Sequence, residues 1–140
     1  SCPNNRVDAA IALTDSDNLG TSTPADGYGE PRTKPTTATL GQAVQKYGRT
    51  TGLTRGVVSG LNATINVNYN TGTARFIDQI LITDGRFSQG GDSGSLVVTQ
   101  SSGQDDRRPV GLLFAGSNTH TIANPIDLVL DLFSVEIDGG

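Results

Sequence analysis

Gln89-Gly90-Gly91-Asp92-Ser93-Gly94-Ser95 sets a serine among glycines, beside an acidic residue and just ahead of the apolar run Leu96-Val97-Val98. A nucleophilic serine needs an exposed hydroxyl and backbone N–H groups aimed where an oxyanion will form. Glycines on both sides permit a turn that points successive amides into one concavity. Asp92 can hold such a turn when buried only if a cation or hydrogen-bond donors satisfy it. The same residues also fit a plainer role, a Gly-rich hairpin loop with a solvated aspartate. The surrounding elements must decide between the two.

Composition narrows the chemistry. The chain has one histidine, His120, and one cysteine, Cys2, far apart in the sequence, so neither a metal site nor a cofactor is implied. Cys2 has no second cysteine with which to close an internal disulfide. A net charge of −4 argues against a nucleic-acid face, which needs a surplus of Lys and Arg. Arg107-Arg108 follows Asp105-Asp106 directly, as expected of a solvated hairpin tip. The longest apolar run, Val110 to Gly116, is far too short to cross a bilayer, so no membrane partner is expected. Asp15, Asp17 and Asp26 fit no calcium-loop spacing and read as solvated charge. No signal-peptide pattern occurs within these residues, which leaves the compartment open.

The positioning elements read as β-structure. Gly, at 18 of 140 residues, and Thr are enriched, while Lys and Glu are scarce, so turn and strand formers outweigh helix formers. Arg6 to Leu13 alternates as a short strand. Residues 14–41 hold Pro24, Pro31, Pro35 and several glycines without a sustained period, and read as a linker or long surface loop. From Gln42 onward, strands recur at Val44–Tyr47, Leu53–Ser59, Thr64–Tyr69, Thr73–Ile82, Ser95–Thr99 and Val110–Ala115. Asn70-Thr71-Gly72 is a hairpin turn signal between two of them. Six short strands with Gly-rich turns predict an all-β fold, a small closed antiparallel barrel. Asn124-Pro125 is expected to cap a short helix running to about Phe133, with Ile126, Val129, Leu130 and Phe133 on its apolar face.

Gly91-Asp92-Ser93-Gly94 followed by an apolar strand resembles the nucleophile loop of the trypsin-like (chymotrypsin-fold) serine proteases. Three further segments match that family in order. Val7-Asp8-Ala9-Ala10-Ile11-Ala12 is similar to the strand that carries the triad aspartate. Lys46-Tyr47-Gly48-Arg49-Thr50-Thr51-Gly52 and the run to Val58 resemble the opening hairpin of the second barrel in bacterial members. Gly111 to Ser117, then Ala123-Asn124-Pro125-Ile126, are similar to the substrate-binding strand and the entry to the C-terminal helix. The resemblance covers nearly the whole chain.

It implies a six-stranded Greek-key barrel, the second barrel of a chymotrypsin-like fold, with a short C-terminal helix. It further implies that Ser93 is the nucleophile and that the N–H groups of Gly91 and Ser93 form the oxyanion hole. Asp8 would orient the catalytic imidazole. Phe114, Ala115 and Gly116 would pair with an extended polypeptide substrate. Phe87 and Ser88 would approach the base and wall of the primary specificity pocket. Asp92 would pair with a basic residue of the opening hairpin, with Lys46 preferred over the nearby Arg49. Secretion is usual in the enzymes resembled.

One departure bears on mechanism. The family orders its triad His, Asp, Ser, and no histidine precedes Asp8. His120 follows the nucleophile and stays open as a surface loop residue, a pocket-rim residue or a substitute base. A lone strand at Arg6–Leu13 cannot pair its own backbone or bury both faces. The expectation is therefore that residues 1–13 add to a first barrel supplied by an N-terminal segment of the same protein, which carries the histidine. Residues 14–41 would link the barrels, and residues 42–140 would form the second barrel and terminal helix. The expected function is serine endopeptidase. The alternative is a catalytically inactive protease-like module that binds extended peptides. A hydrolase of the strand–Ser–helix elbow type does not fit the order Asp8, Ser93, His120.

Overall fold

Strand residues that alternate in burial fix which face of each strand turns inward, and pairing then fixes their order. The computed structural model describes residues 3–140, and Cys2 lies outside them. In chain order the strands are β1 (Asn4–Asn5), β2 (Ala43–Gly48), β3 (Gly52–Tyr69), β4 (Gly72–Thr83), β5 (Leu96–Thr99), β6 (Pro109–Gly116) and β7 (Thr121–Pro125), followed by helix α1 (Ile126–Phe133). Antiparallel pairs join β2 to β3, β3 to β4, β4 to β7, β7 to β6, β6 to β5 and β5 back to β2. The ring of six closes on itself, so the barrel's strands shield one another's edges. This is the closed antiparallel barrel with a short C-terminal helix that the sequence predicts.

Its interior is filled by Val44, Val58, Ile80, Ile82, Phe87, Val97, Val110, Leu113 and Ala123. Leu53–Ser59 and Thr64–Tyr69, which read as separate strands, are one continuous β3. Three register shifts against β4, at Gly60, Ala63 and Ile65, interrupt it, and its outer half continues beside β4 as far as the Tyr69–Gly72 turn. The sixth strand of the ring is instead β7, a segment too short and too close to the helix to show a period of its own.

The N-terminal segment, expected to pair with a first barrel, adds little to this one. Only Asn4–Asn5 pairs, in parallel with Arg75 and Phe76 of β4, and Arg6–Leu13 forms no ladder within this chain. Ile11 and Leu13 are exposed. The Pro-rich stretch is more tightly held than a free linker. Arg32 N–H donates to Arg107 O (2.9 Å), Thr36 N–H to Pro109 O (2.9 Å) and Gly41 N–H to Val58 O (2.9 Å). Ala38 enters the core and Pro31 is buried. Burial alongside this strap pushes the Tyr28 phenol up to about 12.

Helix α1 starts one residue later than expected, and Asn124 does not cap it. Pro125 occupies the cap position with no side-chain hydrogen bond, because the Asn124 amide is used elsewhere. Ile126 and Val129 face the barrel, and Ser134 ends the helix in the left-handed region.

Close packing makes one glycine diagnostic. A Cβ on Gly56 of β3 would lie 2.4 Å from Thr83 O and 2.8 Å from the Phe87 ring. Gly56→Ala should lower the unfolding free energy by about 2 kcal/mol through overpacking. Gly20→Ala, where a Cβ meets nothing within 4 Å, should change it by less than about 0.5 kcal/mol. Urea unfolding of the two variants checks the contrast.

Candidate active site

Asp92 is fully buried, and everything around it donates. Its Oδ1 accepts the N–H groups of Thr50 (2.8 Å) and Thr51 (3.2 Å) from the β2–β3 turn. Its Oδ2 accepts the Thr51 hydroxyl (2.7 Å) and the Gln89 N–H (2.9 Å). Lys46 of β2, equally buried, brings Nζ to 3.7 Å from Oδ2. That ammonium also donates to Thr51 Oγ1 (2.5 Å) and Gly52 O (3.0 Å), and lies 5.6 Å from the Phe87 ring centre. Arg49 makes no ion pair with Asp92 among the described residues. A Cβ on Gly48 would lie 2.3 Å from Asp92 Oδ1, so the glycine opens the space the carboxylate fills. Burial alone pushes the Asp92 carboxyl up, but the Thr51 hydroxyl and the amides of Gln89, Thr50 and Thr51 together hold it at about 2. Burial pulls the Lys46 ammonium down, with Asp92 acting against it.

This anchoring shapes the loop that carries Ser93. Asp92 N–H donates to Gln89 O (3.0 Å), Ser95 N–H to Asp92 O (3.1 Å) and Gly94 N–H to Leu113 O (2.7 Å). Among the described residues, the N–H groups of Gly91 and Ser93 enter no such bond. Gly91 and Gly94 take φ +98° and +90°, which only glycine adopts freely. Ser93 is exposed, and its Oγ donates a long hydrogen bond to Phe114 O (3.3 Å). No imidazole lies against it.

Asp8 reaches the same cleft from the opposite end of the sequence. Asp8 and Ser93 both line a cavity of about 340 Å³, together with Leu112, Leu113 and Phe114. The buried Asn124 accepts the Asp8 N–H at Oδ1 (3.0 Å) and donates from Nδ2 to Asp8 O (2.8 Å). The Tyr69 hydroxyl, at the end of β3, donates to Asp8 Oδ2. Burial, then this bond, raises the Tyr69 phenol to about 12. Neither Tyr69 nor Asn124 stands out in the sequence. Tyr69 ends a strand like many aromatics, and Asn124 before a proline reads as a helix cap.

A second cavity, of about 440 Å³, adjoins the first at Ser93 and is lined by Ser88, Ala115 and Gly116, with no charged residue in its wall. Ser88 Oγ pairs with Thr121 Oγ1 at 2.5 Å. Phe87 does not line it. The ring is 1% exposed and belongs to the core, while its carbonyl accepts the Thr54 hydroxyl (2.7 Å). Of the two adjacent residues in the loop after β4, Ser88 faces the pocket and Phe87 turns into the core, which corrects the expectation for Phe87. Phe114 packs against Phe76 at 5.0 Å and lines the Asp8–Ser93 cavity instead. His120 sits in the β6–β7 turn with Nδ1 3.0 Å from Thr119 Oγ1, and lines neither cavity.

Along β6, pairing with β5 stops at Leu112, whereas pairing with β7 continues to Gly116. Phe114–Gly116 therefore keeps one unladdered edge beside Ser93.

The profile of the family described as Nal1 C-terminal domain matches residues 32–124. Protein NARROW LEAF 1 of Oryza sativa subsp. japonica is 32% identical over 85 residues, 59% of this chain and 14% of that protein. Among solved structures, a glutamic acid-specific serine protease described as using a histidine triad in substrate binding has TM-score 0.65 at 27% identity, covering 89% of this chain and 64% of that one. Cellulomonas bogoriensis chymotrypsin has TM-score 0.66 at 24% identity, with 88% and 64% covered. Thermobifida fusca protease A has TM-score 0.61 at 26% identity, with 77% and 54% covered. The chain thus spans less than two thirds of each of these proteins. The fold is shared with bacterial serine proteases, and one sequence relative is a rice protein, so the bacterial type that the motifs suggested is matched at the level of the fold.

The Asp92 cluster carries its own test. Its carboxyl stands below the ordinary 3.8 when folded, so it stabilises the fold above about pH 4 and that share is lost as pH falls toward about 2. Urea midpoints measured from pH 6 downward should drop across that interval, and Asp92→Asn should remove this part of the slope. Lys46→Met should cost about 3 kcal/mol or more at pH 7, because Asp92 keeps its burial and loses its cation.

Proposed function

The chain belongs to the Nal1 C-terminal domain family, and from that premise we propose that it is the nucleophile-bearing barrel of a serine endopeptidase. The observation that carries the proposal is the shared cleft. Asp8 and Ser93, from opposite ends of the chain, line one cavity next to an unladdered strand edge. A structural barrel has no need of that convergence.

In the reaction, Ser93 Oγ attacks the carbonyl carbon of a peptide bond and its proton passes to an imidazole oriented by Asp8. The tetrahedral oxyanion is held by the N–H groups of Gly91 and Ser93, which the loop's own turns leave unused. The imidazolium then protonates the leaving amine. Water, deprotonated by the same base, attacks the acyl-Ser93 ester and releases the acid. Before attack the Ser93–Phe114 hydrogen bond must give way, since it directs the hydroxyl proton to a carbonyl that cannot act as a base. The substrate lies extended along Phe114–Gly116, with one side chain entering the cavity walled by Ser88, Ala115 and Gly116.

The base is assigned to a histidine of an N-terminal segment of the same protein. His120 lines neither cavity, and no imidazole or amine within the described residues lines the cleft that holds Ser93. The three solved enzymes extend well beyond the region this chain covers.

The product of the entire reading frame should react with a fluorophosphonate, adding the phosphonyl mass to the peptide that contains Ser93. It should also cleave an unfolded protein substrate, and Ser93→Ala should abolish both. A folded full-length protein that neither labels nor cleaves, yet binds extended peptides, would place it instead among inactive protease-like binding modules.

A further inference from the structure

The placement of Asp8 is itself a structural problem. The segment that carries it has almost no ladder of its own, only the two-residue pairing of Asn4–Asn5. The chemistry needs a catalytic carboxylate placed to within about an ångström, and within this barrel side chains must supply the hold that a ladder does not. Two side chains from distant strands converge there.

Asn124 grips the backbone. Its amide accepts from the Asp8 N–H and donates to the Asp8 carbonyl, as a neighbouring strand would. A third contact, from Nδ2 to Leu112 O at 3.4 Å, ties the same amide to β6, the strand that floors the cleft. Asn124 is fully buried, so these bonds face no competition from water. Its neighbours support the grip, since Gln79 Nε2 donates to Arg6 O (2.8 Å) two residues upstream. Tyr69 grips the carboxylate. Its hydroxyl occupies Oδ2, while no hydrogen bond in the described residues takes Oδ1. One carboxylate oxygen is thereby tied and the other left for an imidazole N–H.

We propose that Asn124 and Tyr69 are the positioning residues of Asp8, the first pinning its backbone to the barrel and the second setting the rotation of its carboxylate. The proposal rests on Asp8 acting in the peptidase reaction, and it adds the means by which one barrel delivers that residue. Asn124 acts at the cost of helix capping, and Tyr69 gives the outer half of the β3–β4 hairpin a task in the cleft that its length alone does not explain.

Tyr69→Phe removes only the hydroxyl from a partly exposed ring, so its fold should survive. In the full-length protein its kcat on a peptide substrate should fall by about tenfold, in line with loss of one charge-assisted hydrogen bond. KM should stay within about twofold, and the rate of fluorophosphonate labelling at Ser93 should fall with kcat. Asn124→Leu should lower kcat by about a hundredfold, as a misplacement on the ångström scale does, again with KM little changed. Amide hydrogen exchange at Asp8 should accelerate in Asn124→Leu but not in Tyr69→Phe. If Asn124→Leu fails to fold, Tyr69→Phe decides. A Tyr69→Phe enzyme with kcat within twofold of the parent, or with raised KM and unchanged kcat, overturns the proposal while the peptidase reading stands. A parent protein inert to the fluorophosphonate and to peptides overturns that reading and the proposal with it.

Discussion

A carboxylate sealed from water has to be surrounded by donors, and Asp92 shows what that requirement does to the chain around it. Four hydrogen bonds and an ammonium converge on its two oxygens from β2, the β2–β3 turn and the loop before β5. Each donor is thereby fixed in place by the need to satisfy one charge. The turn at Thr50–Thr51 cannot drift, Lys46 cannot leave for solvent, and the loop carrying Ser93 cannot relax into a wider hairpin. Gly48 and Gly91 stand where larger residues would press on Asp92 or Thr50. The exposed serine is the outer face of this buried centre. Its two unused amide neighbours follow from where the inner bonds have already been spent.

The second organising fact is distance along the chain. Ser93 is held by residues close to it in sequence or on the adjoining hairpin, whereas Asp8 is held by β3 and β7. The cleft between them is therefore not a property of any one loop. It exists only when the ring has closed, because β7 pairs with both β4 and β6 and brings Asn124 against the floor of the cavity. The cavity shared by Asp8 and Ser93 thus depends on closure of the barrel.

That division explains what could be read in advance. The Gly91–Gly94 loop and its buried ion pair were legible because the residue types are unusual and the partners lie in short, glycine-marked windows. The strands of the barrel were legible from alternation, except where alternation fails. β7 is five residues with Thr, Asn and Pro among them, and β3 was split because its bulges interrupt the period at Gly60 and Ala63. The inward turn of Phe87 is not legible, because adjacent residues in a loop carry no sign of which way they face. Tyr69 and Asn124 lie beyond sequence reading, since they act on a residue 61 and 116 positions away and neither has a local pattern that marks the contact. The strap at residues 30–41 is held by backbone hydrogen bonds, which any sequence can make.

β6 outruns β5 by the length of Phe114–Gly116, leaving the outer edge of that stretch without a laddered neighbour. Such an edge accepts only a chain whose own amides and carbonyls are unspent. A helix has already committed those groups internally, and an interior sheet strand has committed them on both sides. If Phe114–Gly116 holds substrate as proposed, the seam would select by conformation before it selects by side chain, favouring extended segments with one unspent backbone edge over helical ones.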